Sequence, residues 1–452
     1  MAEALKALVD IITTETTALL TAYETHKAEF PSLDEPFNPV ADLLNPALVR
    51  TRQLIVAAAT QLIATVQPPS EFLQDAAPAM FKPATLGFVM DVNIPEILME
   101  AGPQGLHVRD ISAATGVEES YLARVLRYMA TRHIFREVTP SVFTNNRISS
   151  LLSKGKSVKE LEKDPLGRFD NSPFTSFLHM ATDELLASSV HFSTYLRNPD
   201  QAQAPFNIAH RTPKKLWEWY EEPGNEWRLR RFTISMKANG DMFPPQIFTG
   251  GIDGNALKPD DVVVDVGGSI GTVTLTLLRA FPNLRYVVQD LDTVMPSGEE
   301  FWDVQSPGTL QSGRVTLQVH NFFDPQPVKN AAIYFLRVIL HDWPDKDAHI
   351  ILAHLRDAAG PSSKLVIFES LARYTCEDAC LERFSLQKAP YPLLANLGQS
   401  FFTALDLNML ALFNGKERTL DEFAKLGRES GWKLESVKPG ILFTFIFSPS
   451  RA

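Results

Sequence analysis

Glycines, one acid and the apolar runs that flank them form the first chemical signature in this sequence. The run Val262-Val-Val-Asp-Val266 leads directly into Gly267-Gly-Ser-Ile-Gly271, after which Val273, Leu275, Leu277 and Leu278 begin a helix. Glycine permits positive φ and lets a backbone approach a ligand closely, while a helix start offers amides with no partner of their own. At the end of the run Leu284-Arg-Tyr-Val-Val-Gln289 stands Asp290, an acid placed to accept hydrogen bonds from both hydroxyls of a ribose. Loop and acid together predict a nucleoside site that includes Asp265, Gly267, Gly268, Gly271 and Asp290. A dinucleotide is the competing ligand, but its fingerprint sets Gly-x-Gly-x-x-Gly directly after the strand, whereas this loop reads Gly267, Ser269, Gly271 with Asp265 ahead of it. A Gly-rich turn with no ligand is the plainer alternative.

The elements that must position such a loop are legible in the same half of the chain. Short apolar runs alternate with helical stretches: Val262 to Val266, Leu284 to Val288, Val315 to Val319, Ala332 to Leu336, Leu365 to Phe368, then Trp432 to Val437 and Leu442 to Phe447. This alternation predicts an α/β fold, a Rossmann-like doubly wound sheet that is mainly parallel and ends in an antiparallel pair. Before it, Ala2 to about Val66 carries apolar residues at helical spacing, broken by the Pro-rich turn Phe30 to Pro39. Ile94 to Leu98, Leu106 to Gly116, Glu119 to Met129, Ile134 to Val138 and Val142 to Thr144 follow in the order helix, helix, turn, helix, hairpin, which reads as a winged helix. The pattern divides into a helical segment over 1–70, a winged-helix-like domain over 71–170, a helical region over 171–250 and a catalytic domain over 251–452. The opening segment reads as a dimerisation element, because its many apolar positions need a partner surface, with packing within one chain as the plainer alternative; the winged-helix-like domain reads as a dimerisation or substrate-lid module.

Composition narrows the partners. The 452 residues carry 43 Lys and Arg against 53 Asp and Glu, a net charge of -10 that offers nucleic acid or anionic lipid no general attraction. A winged helix does raise the possibility of DNA binding through Arg124, Arg127, Arg132 and Arg136. Against it, Leu122, Val125, Leu126 and Met129 give that helix core spacing. Cys376 and Cys380 have no His or Cys neighbours to complete a zinc site and read as structural thiols. The amino terminus has no basic region followed by an apolar core, and no window approaches the roughly 18 apolar residues of a membrane span, so cytoplasmic residence is expected.

Several ordered segments resemble the plant-type small-molecule O-methyltransferases, the caffeate and flavonoid family with its fungal relatives. They are Val264-Asp-Val-Gly-Gly-Ser-Ile-Gly271, Gln289-Asp-Leu291, Tyr334 to Asp345 with its His-Asp-Trp, Phe368-Glu-Ser370, Asp406-Leu-Asn-Met-Leu410 and Gly415-Lys-Glu-Arg-Thr419. The resemblance implies S-adenosylmethionine as cofactor, S-adenosylhomocysteine as its product, a homodimer formed through the amino-terminal domain, and no metal.

Carried over residue by residue, the resemblance makes His341 the general base and Glu369 and Glu417 the acids that flank it. A phenol titrates near 10 and a free imidazole near 6.5, so removal of the acceptor proton needs the ring's basicity raised. Leu291, Asn321, Phe322 and Arg337 join the cofactor site, with Asn321 where the family has an acid and Ser269 where it has a glycine. Phe232, Met236, Asp342, Trp343, Met409 and Asn414 fall at acceptor-binding positions. The insertion between Ser370 and Phe401 is longer than in plant members and is read as shaping the acceptor pocket. The implied reaction is methyl transfer to a phenolic or enolic hydroxyl of a small aromatic or polyketide-like molecule. Cyclisation or dehydration assisted by the cofactor's positive charge is the alternative on the same fold, and a DNA-binding regulator the alternative of a different class.

Overall fold

The computed structural model describes residues 2–39, 46–241, 246–379, 381, 384, 387–440 and 442–450; Cys380 lies outside them. The chain separates into two compact units, Met1–Asn239 with Ala389–Gly398, and Gly240–Lys388 with Gln399–Ala452.

The first unit opens with the helices Ala2–Thr25 and Pro46–Val66, which pack on each other and are tied by Arg52 Nη2 donating to Tyr23 Oη at 2.9 Å. The segment Ala389–Gly398 returns to this pair: Leu397 packs with Leu54 and Ala57, and Gln61 Nε2 donates to the Pro392 carbonyl at 2.8 Å. Next comes the winged-helix motif. The helix Glu119–Ala130 starts where the Glu118 side chain accepts the amides of Ser120 and Tyr121, a capping arrangement that satisfies donors the helix itself cannot. Its Leu122, Leu126 and Met129 are buried with Val89, Ile94, Leu98, Ile111 and Phe143 in one cluster. The strands β1 (Leu106–His107), β2 (Arg136–Thr139) and β3 (Val142–Thr144) form the wing in the order β1-β3-β2, all antiparallel.

The second unit is built on seven strands: β4 (Val262–Val266), β5 (Arg285–Asp290), β6 (Val315–Val319), β7 (Ile333–Arg337), β8 (Lys364–Glu369), β9 (Trp432–Lys438) and β10 (Phe443–Pro449). Their order is β6-β5-β4-β7-β8-β10-β9, parallel through β8, with β10 antiparallel to both β8 and β9. Successive side chains on a strand face opposite sides, and here both sides are covered. Val264, Val266, Tyr334, Leu336, Leu365 and Ile367 enter one apolar layer, while Val263, Val288, Phe335, Val366 and Phe368 enter the other. That double burial explains the near-continuous apolar runs. The chain reverses strand order between β5 and β7 on either side of β4, and ligands of such sheets bind at the carboxyl ends of the strands beside that point. Among the described residues no helix is long and apolar enough to cross a membrane.

Candidate active site

The Gly-rich loop sits at the carboxyl end of β4. Gly267 and Gly271 have φ of 68° and 87°, and Ser269, at 53°, shares the left-handed region. A Cβ at Gly268 would stand 2.6 Å from the Asp265 carboxyl carbon, and one at Gly271 would stand 2.7 Å from Trp302 Nε1, so the tight turn excludes larger residues at both places. Asp265 is buried beneath the loop and accepts from Thr274 Oγ1 at 2.6 Å. Burial pushes its carboxyl up to about 6, against the pull of Thr274 and Arg337.

Asp290 closes the far side of the loop. Its Oδ2 accepts the Ser269 amide and its Oδ1 the Leu291 amide, each at 2.8 Å, so the acid also fixes the loop. Burial raises its carboxyl above the ordinary value. Leu291 is exposed beside it. Phe322 is the ring next to Gly267, and it packs against Phe323 and Trp343 with centroids 5.0 and 5.9 Å away. Asn321 is exposed, and its Oδ1 accepts the Phe323 amide at 3.1 Å, shaping the turn that presents Phe322. Arg337, at the end of β7, lies over the Phe248 ring with its Cζ 5.4 Å from the centroid. An acid at the end of the second strand, a glycine turn at the end of the first and an aromatic wall beside it are a donor set that suits a nucleoside.

The second cluster follows β7. Val338 has φ of 54°, strained for a β-branched residue, and the surroundings hold it there. Its amide donates to the Phe368 carbonyl at 2.9 Å. Glu369, at the end of β8, takes the next two amides, those of Ile339 and Leu340, on Oε1 at 2.9 and 2.8 Å. From the other side the buried Arg418 donates to the carbonyls of Leu340 and Trp343 at 2.7 and 2.8 Å and to Asp345 Oδ1 at 3.0 Å. The Lys416 amide donates to the His341 carbonyl at 2.9 Å. A Cβ at Gly415 would collide with that carbonyl oxygen. The short turn Leu340–Asp342 is therefore gripped on both faces.

His341 projects from this turn into a ring of carboxylates. Its Nδ1 lies 2.8 Å from Glu417 Oε1, and its Nε2 lies 3.5 Å from Asp342 Oδ1. Ligand atoms of His341, Glu369 and Glu417 all fall within 4.8 Å of one another, and the three residues are buried. The same set could hold a divalent ion. Burial by itself would lower the imidazole, but Asp342, Glu369 and Glu417 outweigh it and push the ring up to about 10. The acids respond in the opposite direction. Burial pushes Glu369 up to about 7 and Asp342 up to about 6, each held back by the charge of His341. Glu417 is set by its own backbone, whose amide donates to Asp406 Oδ1 at 2.9 Å.

The remaining expected residues are distributed more widely. Met409 is buried on the helix Ser400–Phe413, and Asn414, in the left-handed conformation with φ of 55°, ends that helix and lines a cavity of about 340 Å³ with Asp406, Leu407 and Leu410. Phe232 and Met236 belong to the first unit, on the helix Glu226–Asp241, where the Phe232 ring packs against Trp217 and Tyr220. Cys376 is exposed with a free thiol rather than packed in a core. Sequence reasoning did not find Arg418, the second clamp on the histidine turn. Its signal was the acid Asp345, four residues after His341, which pairs with it.

Comparison with known proteins shows the family. Residues 247–433 match the family model of the O-methyltransferase domain, and residues 75–155 match that of the O-methyltransferase dimerisation domain. An O-methyltransferase of Armillaria gallica is 37% identical, over 97% of this chain and 96% of its own length. A 4-O-methyltransferase and a 3-O-methyltransferase of Phanerochaete chrysosporium are 33% and 31% identical, over 97% and 96% of this chain and 96% and 95% of their own lengths. Among solved structures, mitomycin 7-O-methyltransferase superposes with a TM-score of 0.63 at 22% identity, covering 84% of this chain and 98% of its own. The enzyme LepI, solved with S-adenosylmethionine, superposes with a TM-score of 0.64 at 19% identity, covering 97% of this chain and all of its own. Full-length likeness above 30% and the two family models in sequence order make this chain a member of the S-adenosylmethionine-dependent O-methyltransferase family, with a dimerisation domain ahead of its catalytic domain.

Proposed function

We propose that this enzyme methylates a phenolic or enolic hydroxyl of a small aromatic or polyketide-like metabolite, with His341 as general base. The observation that carries this reading is the Glu417–His341 contact at Nδ1. A carboxylate there holds Nδ1 protonated and leaves the Nε2 lone pair as the basic site. With the ring raised to about 10, its basicity matches that of a phenol, so the proton transfer that is uphill for a free imidazole becomes close to even. Glu369 and Arg418 are positioning residues, keeping the histidine turn in its strained path.

Bound at the loop, S-adenosylmethionine supplies an electrophilic methyl group on a sulfonium. Asp290 would hold its ribose, Gly267 and Gly268 would let the backbone approach, and Phe322 would wall the adenine beside Asn321. Leu291 and Arg337 would complete that site. Asp342, Trp343, Met409 and Asn414 are assigned to the acceptor, and Phe232 and Met236 keep the acceptor role that the family resemblance gives them. The protein acts as a homodimer joined through its dimerisation domain. Relatives named 4-O-methyltransferase and 3-O-methyltransferase support transfer to an oxygen acceptor.

The test is incubation with methyl-labelled S-adenosylmethionine and a panel of phenols and enols of fungal type. Label should appear in an O-methyl product. Label that stays wholly on the donor despite tight donor binding would overturn the reading.

A further inference from the structure

Methylation of a hydroxyl sets a proton free. The O–H bond breaks as the oxygen gains its methyl group, and the proposed function puts that proton on His341 Nε2; the inference below rests on that reading. The base must be emptied before the next acceptor can react. The same carboxylates that make His341 strongly basic also make it slow to give its proton up. A buried, strongly basic ring needs a route out.

Among the described residues three acids surround the ring, and they are not equivalent. Glu417 is on Nδ1, the wrong nitrogen, and its side chain is 1% exposed. Glu369 spends Oε1 on the Ile339 and Leu340 amides and is equally buried. Asp342 stands on the Nε2 side, with Oδ1 at 3.5 Å, and its side chain is 20% exposed against 11% for the imidazole. Of these three it is the one that both faces the working nitrogen and reaches solvent.

We propose that Asp342 is the proton exit of this site: after methyl transfer the Nε2 proton passes to Asp342 Oδ1 and from there to a base in solution. The balance closes without a redox partner. The acceptor loses a proton and gains a methyl group, His341 returns to neutral imidazole, Asp342 returns to carboxylate, and one proton reaches solvent per methyl transferred. A separation of 3.5 Å is long for a direct hydrogen bond, and a small rotation of the Asp342 side chain closes it. The backbone keeps the carboxylate in reach. The Asp342 amide donates to the Ile339 carbonyl at 3.3 Å, and Gly415 lies so close that a Cβ there would stand 2.8 Å from the Asp342 carbonyl carbon.

The experiment is rapid-quench methyl transfer by the full-length Asp342→Asn enzyme, with a phenol that the unaltered enzyme turns over. The expected result is a burst of one product per site followed by a steady state roughly tenfold or more slower than the burst. That slow phase should rise with the concentration of a small buffer such as imidazole, and a pH indicator should report proton release lagging product. Asp342→Glu, which keeps a carboxylate, should remove the burst, and it serves as the comparison if the amide variant folds poorly. Equal losses in the first and later turnovers, with no response to buffer, would overturn the exit and leave Asp342 as an acceptor-orienting group. His341→Ala probes the base separately, because it removes the first turnover whichever way Asp342 behaves.

Discussion

Glu417 Oε1 sits 2.8 Å from His341 Nδ1, with both side chains buried, so the imidazole is held by a carboxylate on the nitrogen opposite the one that faces Asp342. Replacing Glu417 by Gln keeps the shape but removes the charge that stabilises an imidazolium. The expected loss in kcat/KM is on the order of 10² to 10⁴, with S-adenosylmethionine affinity nearly unchanged. Steady-state kinetics and calorimetric titration of the donor check the two halves.

The pH dependence follows from the acids around the ring, Asp342 first, then Glu369 and Glu417. His341 is raised to about 10, so with an un-ionised phenol the fraction of neutral base grows with pH, and log kcat/KM should climb from neutrality toward a plateau near pH 10. Glu417→Gln should move the inflection down. Phenolate with protonated His341 is the same protonation state of the pair, so the profile reports the pair and not one partner.

Stability carries the matching sign. The folded value lies above the ordinary 6.5, so the folded chain binds this proton more tightly than the unfolded one. The resulting stabilisation is complete below about 6.5 and is lost as pH rises toward about 10. Urea midpoints should therefore fall across that window, and His341→Asn should flatten the fall by on the order of a few kcal/mol.

Arg418→Met should damage the turn without touching either ligand. It removes donors from the carbonyls of Leu340 and Trp343 and from Asp345, leaving the carbonyls buried without those bonds. A stability cost of about 3 kcal/mol is expected, with kcat falling more than donor affinity. Chemical denaturation and donor titration separate the effects.

Chelation should leave turnover intact. In the His341, Glu369 and Glu417 cluster, Nδ1 already pairs with Glu417 Oε1 and Glu369 Oε1 already takes two amides, so a divalent ion would have to displace these contacts. Turnover measured after dialysis against EDTA should match the untreated enzyme, and a loss restored by one divalent metal would contradict the assignment.

Much of this was legible in the sequence because it is periodic or local. The doubly wound sheet follows from runs such as Val262 to Val266, whose residues alternate between two apolar layers. The loop at Gly267 follows from glycines that have no room for a Cβ. What joins distant segments was not legible without a family to compare. Glu417 meets His341 across 76 positions, and Arg418 reaches Leu340 across 78. Nothing in the spacing of Ala389–Gly398 announced that it packs on the helix Pro46–Val66 in the first unit. The strain at Val338 is likewise invisible in composition, since a β-branched residue after a strand normally extends it. Asp290 was read for its ligand, yet both of its oxygens also anchor the loop, a role that depends on the backbone path of Ser269.

The most direct measurement is the single-turnover rate of methyl transfer by His341→Ala, taken beside its affinity for S-adenosylmethionine. Our reading predicts a rate lower by roughly 10² or more with affinity held within about threefold. A variant that transfers methyl at the unaltered rate would contradict His341 as the base.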